Sequence, residues 1–398
     1  MADTFIFPKD FVWGTASSAY QTEGNNINTD WYEWEKNKKP EQEFPKEECG
    51  VACDSYNRYK EDFDLAVKLN NNAIRISIEW ARIQPDEDSF DQNEINHYKQ
   101  VLQEAKARNL QTFVTLHHFT NPLWFSKKGG WASRHSPSLF AKYAKKCAQE
   151  FGSLIDFYLT INEPDVYAFQ GYVKGIWPPN KEDLLLPIVV QINMTRAHVA
   201  AYKAIKSVGK FMVGLVKNIM WFEAAPGKHA LIDSVVAKLL HFINDDMFLR
   251  PITKYLDFIG LNYYFTTRLK KLLISNVDDV QSDLGWWVNP AGLEKVLLKL
   301  KRYNKPIYIT ENGVADQIDR IRIKFIREML GSIAKAMKQG VNVKGYFYWT
   351  LLDNYEWHQG YWPKFGLVYV DRGHNLERVP RESFYYYAEV CSSGRIDI

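Results

Sequence analysis

Short runs of apolar and β-branched residues alternate along this chain with longer stretches in which apolar residues recur every three or four positions. The first pattern predicts strands over residues 11–18, 73–80, 112–118, 158–163, 211–216, 257–264, 308–311 and 343–349. The second predicts helices over 56–69, 91–109, 137–151, 188–207, 230–243, 291–302 and 319–338, with a last one from near Pro380. In the first of these, Tyr59, Phe63, Ala66 and Val67 fall on one face.

Strands that each lead into a helix imply a parallel sheet covered by helices, and eight such units close into a (β/α)8 or TIM barrel of the α/β class. Such a barrel takes about 250 residues, so the remainder of the 398 goes to loops and extensions. No linker interrupts the count, and residues 1–398 read as one domain with its active site at the C-terminal ends of the strands. The alternative, an open doubly wound sheet, lacks its glycine fingerprint, because Gly14 stands alone after the first strand and Gly24 opens no helix. The stretch up to about residue 53 is rich in Asn, Lys, Glu and Pro, and is expected to lie outside the core.

Composition narrows the partners. The 50 basic and 47 acidic residues nearly cancel and form no basic block, which argues against nucleic acid. The charges of 295–305 interleave with apolar residues and read as a solvated helix face. No run of 18 apolar residues occurs, the stretch Leu184 to Ile192 being broken by Pro187. The start, Met1 to Phe5, carries an acid where a signal peptide needs a basic region. A cytoplasmic protein with no membrane partner is expected. Four cysteines form no disulfide framework; Cys49 and Cys53 lack the companions of a zinc site, and Cys147 and Cys391 read as packing residues. The 15% aromatic content, with 13 Trp, suits the apolar faces of sugar rings as well as a core.

Chemistry is sought where strands end. Gln21, Arg75, His118, Asn162, Glu163, the run Asn262 to Tyr264, Glu311, and Trp349 with Glu356 and Trp357 all stand at or just after predicted strand ends. Singly, each has an ordinary structural use: a Glu caps or pairs, an Arg within a strand pairs, a His packs. Together on one rim they point to a site. Two carboxylates across a pocket, Glu163 and Glu311, are what glycoside hydrolysis requires, one protonating the leaving oxygen while the other attacks or activates water. Arg75 aimed at Glu311 would hold it ionised, Tyr264 would donate a hydrogen bond to the same group, and Asn162 would reach a sugar 2-hydroxyl. His117 alternates to the opposite face from His118.

Thr160-Ile161-Asn162-Glu163-Pro164, Ile309-Thr310-Glu311-Asn312-Gly313 and Tyr348-Trp349-Thr350-Leu351-Leu352-Asp353-Asn354-Tyr355-Glu356-Trp357 resemble, in that order, the acid/base, nucleophile and sugar-binding motifs of glycoside hydrolase family 1, the β-glucosidase and β-galactosidase family. The likeness runs from Phe11 to about Ala388. It implies Glu163 as acid and base and Glu311 as nucleophile in a retaining mechanism, with the carboxyl groups about 5–5.5 Å apart. It further implies a glycone subsite of Gln21, His118, Asn162, Glu356 and Trp357, Trp349 stacking on the ring, and Phe365 at a further pocket position. No metal or organic cofactor is implied. The expected substrate is a small β-glycoside or oligosaccharide carrying terminal glucose, galactose or fucose, with oligomeric state left open.

The chain departs from the family pattern in having Phe119 where Trp usually follows the subsite His, and in a shortened segment over 217–256. The loop after Glu311 is also trimmed, so a more open aglycone side is expected. Glu356, Pro363 and Phe365 replace the Ser, Lys and Tyr of 6-phospho-glycosidases, which disfavours a phosphorylated substrate, and the intact Glu163 disfavours the thioglucosidase type. A sugar-binding module without turnover is the reading from another class, and it predicts a lost catalytic Glu. Hydrolysis and transglycosylation use the same residues.

Overall fold

A computed structural model describes residues 4–39, 41–276 and 280–397. Eight strands close into a barrel: β1 (Val12–Ala16), β2 (Ala73–Ser77), β3 (Gln111–His117), β4 (Phe157–Asn162), β5 (Met212–Asn218), β6 (Phe258–Asn262), β7 (Ile307–Asn312) and β8 (Val343–Trp349). Each pairs in parallel with the next, and β8 pairs with β1 from Gly345 opposite Val12 to Trp349 opposite Ala16. The principal helices after successive strands are α1 (Ser55–Lys68), α2 (Gln92–Ala107), α3 (Ser136–Phe151), α4 (Leu186–Lys206), α5 (Ala230–His241), α6 (Pro290–Leu300), α7 (Arg322–Lys338) and α8 (Glu382–Ser393). The barrel expected from the alternation is therefore the fold.

The helices cover the strands for the reason their spacing gave. On α3, Phe140, Tyr143, Ala144, Cys147, Ala148 and Phe151 are buried, an i, i+3, i+4, i+7 stripe facing the barrel. Each large apolar side chain of that stripe contributes roughly 1.5–3 kcal/mol by leaving water. The start of α2 is set by Asp91, whose carboxylate accepts from the N–H groups of Asn93 and Glu94.

Inside the barrel the end remote from the site is filled by rings. Phe113 stacks on Phe157 with centroids 4.1 Å apart, touches Phe347 at 4.7 Å, and with Tyr308 and Phe258 closes the floor. Gly14 belongs to this floor, since a Cβ there would lie 2.5 Å from the Phe347 ring. Its isolation in the sequence thus reflects close packing, where a nucleotide fingerprint would need companions.

The expectation that the segment before residue 53 lies outside the core is corrected. Asp30–Lys36 forms a helix capped by Thr29, and Trp31, Glu35, Cys49 and Cys53 are buried. The Trp31 indole seats against Trp357 at 4.8 Å, a contact no local pattern announces. The thiols of Cys49 and Cys53 donate to the carbonyls of Tyr20 and Asp353, and burial pushes the Cys53 thiol up to about 12, so both stay protonated at neutral pH. Among the described residues no helix is long and apolar enough to cross a membrane. The reading of Met1 to Asp3 falls outside the described residues.

Candidate active site

Glu311 ends β7, and its two carboxylate oxygens are held separately. Arg75 Nη1 donates to Oε1 at 2.5 Å, and the Tyr264 hydroxyl donates to Oε2 at 2.5 Å. Arg75 is itself fully buried and fixed on every side. Its Nε donates to Thr115 Oγ1, Nη1 also to the Thr310 carbonyl, and Nη2 to Asn162 Oδ1 at 2.7 Å. A buried guanidinium is tolerable only when its charge and donors are met, and here the carboxylate and three oxygens meet them.

Glu163 follows the last residue of β4, where the backbone turns to φ 43°, ψ 62° and Pro164 opens a short helix. A side chain one position further along a strand would normally point to the opposite face. The left-handed residue breaks that alternation, and Asn162 and Glu163 join one network. Asn262 Nδ2 donates to Glu163 Oε1 at 2.7 Å and to Asn162 Oδ1 at 3.3 Å, and Asn218 Nδ2 donates to Glu163 Oε1 at 3.1 Å. Asn218 stands opposite Asn262, and Asn262 opposite Glu311 after an irregularity between Ile309 and Glu311, which brings the three to one level.

The two carboxylates are almost equally buried, yet their surroundings differ in kind. Glu163 meets only amide donors, and burial, followed by the negative charge of Glu311, raises its pKa to about 8. It is therefore protonated at neutral pH, whereas Glu311 faces a fixed cation.

The remaining residues expected at the site gather around this pair. His118 lies beside Asn162, its Nε2 3.3 Å from Nδ2, and its ring is nearly parallel to Trp349 at 6.0 Å and to Trp357 at 5.9 Å. Burial and then the charge of Arg75 hold its pKa well below the ordinary value, so the imidazole is neutral. His117 points the other way, to Asn121 and Trp131. Trp357 is backed by Tyr20, stacked at 6.2 Å, and by Trp31, Trp177 and Phe119. Phe119 fills part of that aromatic wall.

Glu356 reaches the field of Glu311: burial and that charge push its carboxyl up to about 8, and its Oε2 has no hydrogen-bond partner among the described residues. Phe365 packs 6.2 Å from Tyr264. Gln21 is tied into the protein itself, with Oε1 accepting from Ser18 and Nε2 donating to the Tyr355 carbonyl and Asn354 Oδ1.

Three contributors were not assigned roles from sequence. Asn218 and Asn262 form the amide cage of Glu163, and both end strands, the same signal that exposed the other candidates. Trp286, 5.6 Å from Tyr264 and 6.1 Å from Phe365, comes from a loop without a periodic pattern. A separate cavity lined by Glu23, Tyr56, Asp62, His97 and Tyr98 lies behind β1 and β2, and none of its lining residues is a predicted site residue.

Compared with known proteins, the profile of Glycosyl hydrolase family 1 matches residues 3–254 and 227–395, its two stretches overlapping within the segment expected to be short. A beta-glucosidase A from Thermotoga maritima is 33% identical over 98% of this chain and 99% of that protein. Among solved structures, a beta-glycosidase from Pyrococcus horikoshii aligns with a TM-score of 0.92 at 35% identity, covering 100% of this chain and 97% of that one. A beta-glucosidase from Thermotoga maritima in complex with glucoimidazole aligns with a TM-score of 0.91 at 32% identity, covering 98% and 99%.

Proposed function

The chain belongs to glycosyl hydrolase family 1, and from that premise and the geometry of its two carboxylates we propose that it cleaves terminal β-D-glycosyl residues with retention of configuration. It is a glycoside hydrolase of the β-glucosidase kind. In this reading a single barrel domain works on small β-glycosides or oligosaccharides, with glucosides, galactosides and fucosides as candidate substrates.

The observation that carries the proposal is the asymmetry of the pair: a carboxylate clamped by a buried guanidinium and a phenol, beside a carboxyl held protonated by burial. Glu311 attacks the anomeric carbon while Glu163 gives its proton to the departing oxygen, leaving a glycosyl ester on Glu311. Ester formation removes the charge on Glu311, and that charge is one of the causes raising Glu163. Glu163 then becomes easier to ionise in the intermediate and takes a proton from the incoming water. Hydrolysis of the ester returns both groups to their starting states. Asn162, His118, Glu356 and Trp357 are assigned to the hydroxyls of the glycone, Trp349 to its apolar face, Gln21 to the pocket wall beside Asn354 and Tyr355, and Phe365 with Trp286 to the mouth.

Four unpaired, buried cysteines support a reducing, cytoplasmic setting. Nitrophenyl β-glycosides test the reading: purified protein is expected to hydrolyse them, Glu311→Ala to lose turnover, and azide to restore Glu163→Ala on an activated substrate. An unaltered rate in Glu311→Ala would sink the assignment.

A further inference from the structure

Most positions of helix α5 are apolar, on two sides of the helix, and only one of these sides is covered. Ala237 is buried, and Val236 and Leu240 pack with it against Phe222 and Leu269 of a small sheet formed by Trp221–Ala224, Thr266–Lys270 and Leu273–Ile274. The opposite face leaves Leu231, Ile232, Val235 and Leu239 exposed, and Phe242, Ile243 and Met247 continue the exposed surface beyond the helix. An apolar helix face left uncovered is ordinarily enclosed by protein or by lipid.

The hairpin beside it carries the same character to a tip. Lys270 pairs with Leu273, so Lys271 and Leu272 are the two turn residues, and both have positive φ, 53° and 65°. Such a turn normally takes Asn-Gly, and a branched residue there is strained. The strain is held by the buried carboxylate of Asp233 on α5, which accepts from the N–H of Lys271 at 3.0 Å and of Leu272 at 2.8 Å. The product of this bracing is three aliphatic side chains turned outward, Leu272, Leu273 and Ile274, at 56%, 70% and 71% exposure.

Among the described residues of the stretches that form this surface, the exposed charges have one sign. Over residues 226–250 and 266–276 the exposed ionisable side chains are Lys228, His229, Lys238, Arg250, Lys270 and Lys271. The carboxylates of the same stretches are buried and engaged: Asp233 with the turn, Asp245 with Lys299, and Asp246 with Arg302 and Tyr303.

We infer that this face docks on an anionic lipid surface, the hairpin tip and the outer side of α5 entering the headgroup boundary while the lysines meet lipid phosphates. Aliphatic side chains rimmed by lysine are the composition of interfacial membrane segments. Protein interfaces instead favour Tyr, Trp and Arg and are poor in Lys. A second copy meeting the same face would bring two cationic rims together, which is unfavourable. Docking does not depend on the roles given to the carboxylates. It does bear on access, because the sheet starts at Trp221 and Thr266, just after Asn218 and Tyr264 of the site. The strands that carry the hairpin therefore start at the rim of the site.

The test is co-sedimentation of the full chain with vesicles of phosphatidylcholine alone or with roughly one third phosphatidylglycerol. Binding is expected to the anionic vesicles, weakening with salt, and to be much poorer with the neutral ones. The triple substitution Leu272→Ser, Leu273→Ser, Ile274→Ser and, separately, Lys270→Glu with Lys271→Glu are each expected to reduce partitioning about tenfold or more. Thermal unfolding checks that both variants stay folded. Absence of binding to anionic vesicles, or binding indifferent to both variants, would refute the inference. A wild-type dimer in sedimentation velocity that the triple substitution dissolves would give the face to a second copy instead.

Discussion

The β7 side and the β4 side of the site bury chemically identical carboxyl groups and surround them differently. At Glu311 the partners are a cation and a phenol, each satisfying one oxygen. At Glu163 they are two neutral amides on a single oxygen, next to another carboxylate. An amide donor stabilises the charged form only modestly, so burial dominates and Glu163 keeps its proton; at Glu311 a guanidinium stands in direct contact. Chemistry that needs an acid and an anion side by side follows from which donors the surrounding strands aim at each group.

Arg75→Met breaks this contrast most severely. It leaves Glu311 buried with only Tyr264, and turnover is expected to fall by at least ~10³-fold, with a stability loss of about 3–5 kcal/mol in denaturant unfolding. A variant that keeps near-normal kcat would show that the cation is not what distinguishes the two sides.

Tyr264→Phe removes one donor and little volume. It is expected to lower kcat about 10²-fold with a nearly unchanged melting temperature. A loss confined to KM would move Tyr264 from the attacking carboxylate to substrate binding.

The contrast is sharpened by pH. With Glu163 as acid, kcat/KM is expected to fall as pH rises through about 8. Asn262→Ala deletes a hydrogen bond that favours the ionised form, so this limb should move to higher pH. Glu311→Gln deletes a neighbouring charge, so the Glu163 titration, followed by carbon NMR, should move lower. Opposite signs are required; shifts in the same direction would mean that the two effects are misassigned.

Glu356 offers the smallest effect, and it probes a third carboxyl in the Glu163 condition. Its folded pKa, about 8, stands above its ordinary value of 4.5. The unfolded chain therefore releases this proton first as pH rises across that window, and stability falls with it. Glu356→Gln is expected to raise the melting temperature by about 2 °C at pH 8 and to leave it unchanged at pH 4. An equal gain at both values would indicate a packing effect.

Much of this was legible in the chain. Periods of two and of three to four gave the eight strands and their helices, because periodicity is local and barrel closure follows from counting units. Glu163 and Glu311 were legible as strand ends, and so in principle were Asn218 and Asn262, whose roles stayed hidden. Their roles come from contacts with other strands, 55 and 99 residues from Glu163 in the chain. Trp31 and Cys53 lie in a stretch whose polar composition argued for an exterior position, yet long-range packing on Trp357 and Asp353 buried them.

The same division separates what the sequence determined from what only tertiary structure decided. The sequence set the barrel, the order of its strands and the residues that end them, since these depend on side-chain character at fixed spacing. Hydropathy also set the absence of a membrane-spanning run. It could not tell that the apolar residues of α5 would keep one face uncovered, because exposure depends on what packs against a helix and not on its own pattern. The motifs had already named Glu163 as the acid, but not the Asn218 and Asn262 amides around it, because those converge from distant strands in a medium where water no longer levels their effect.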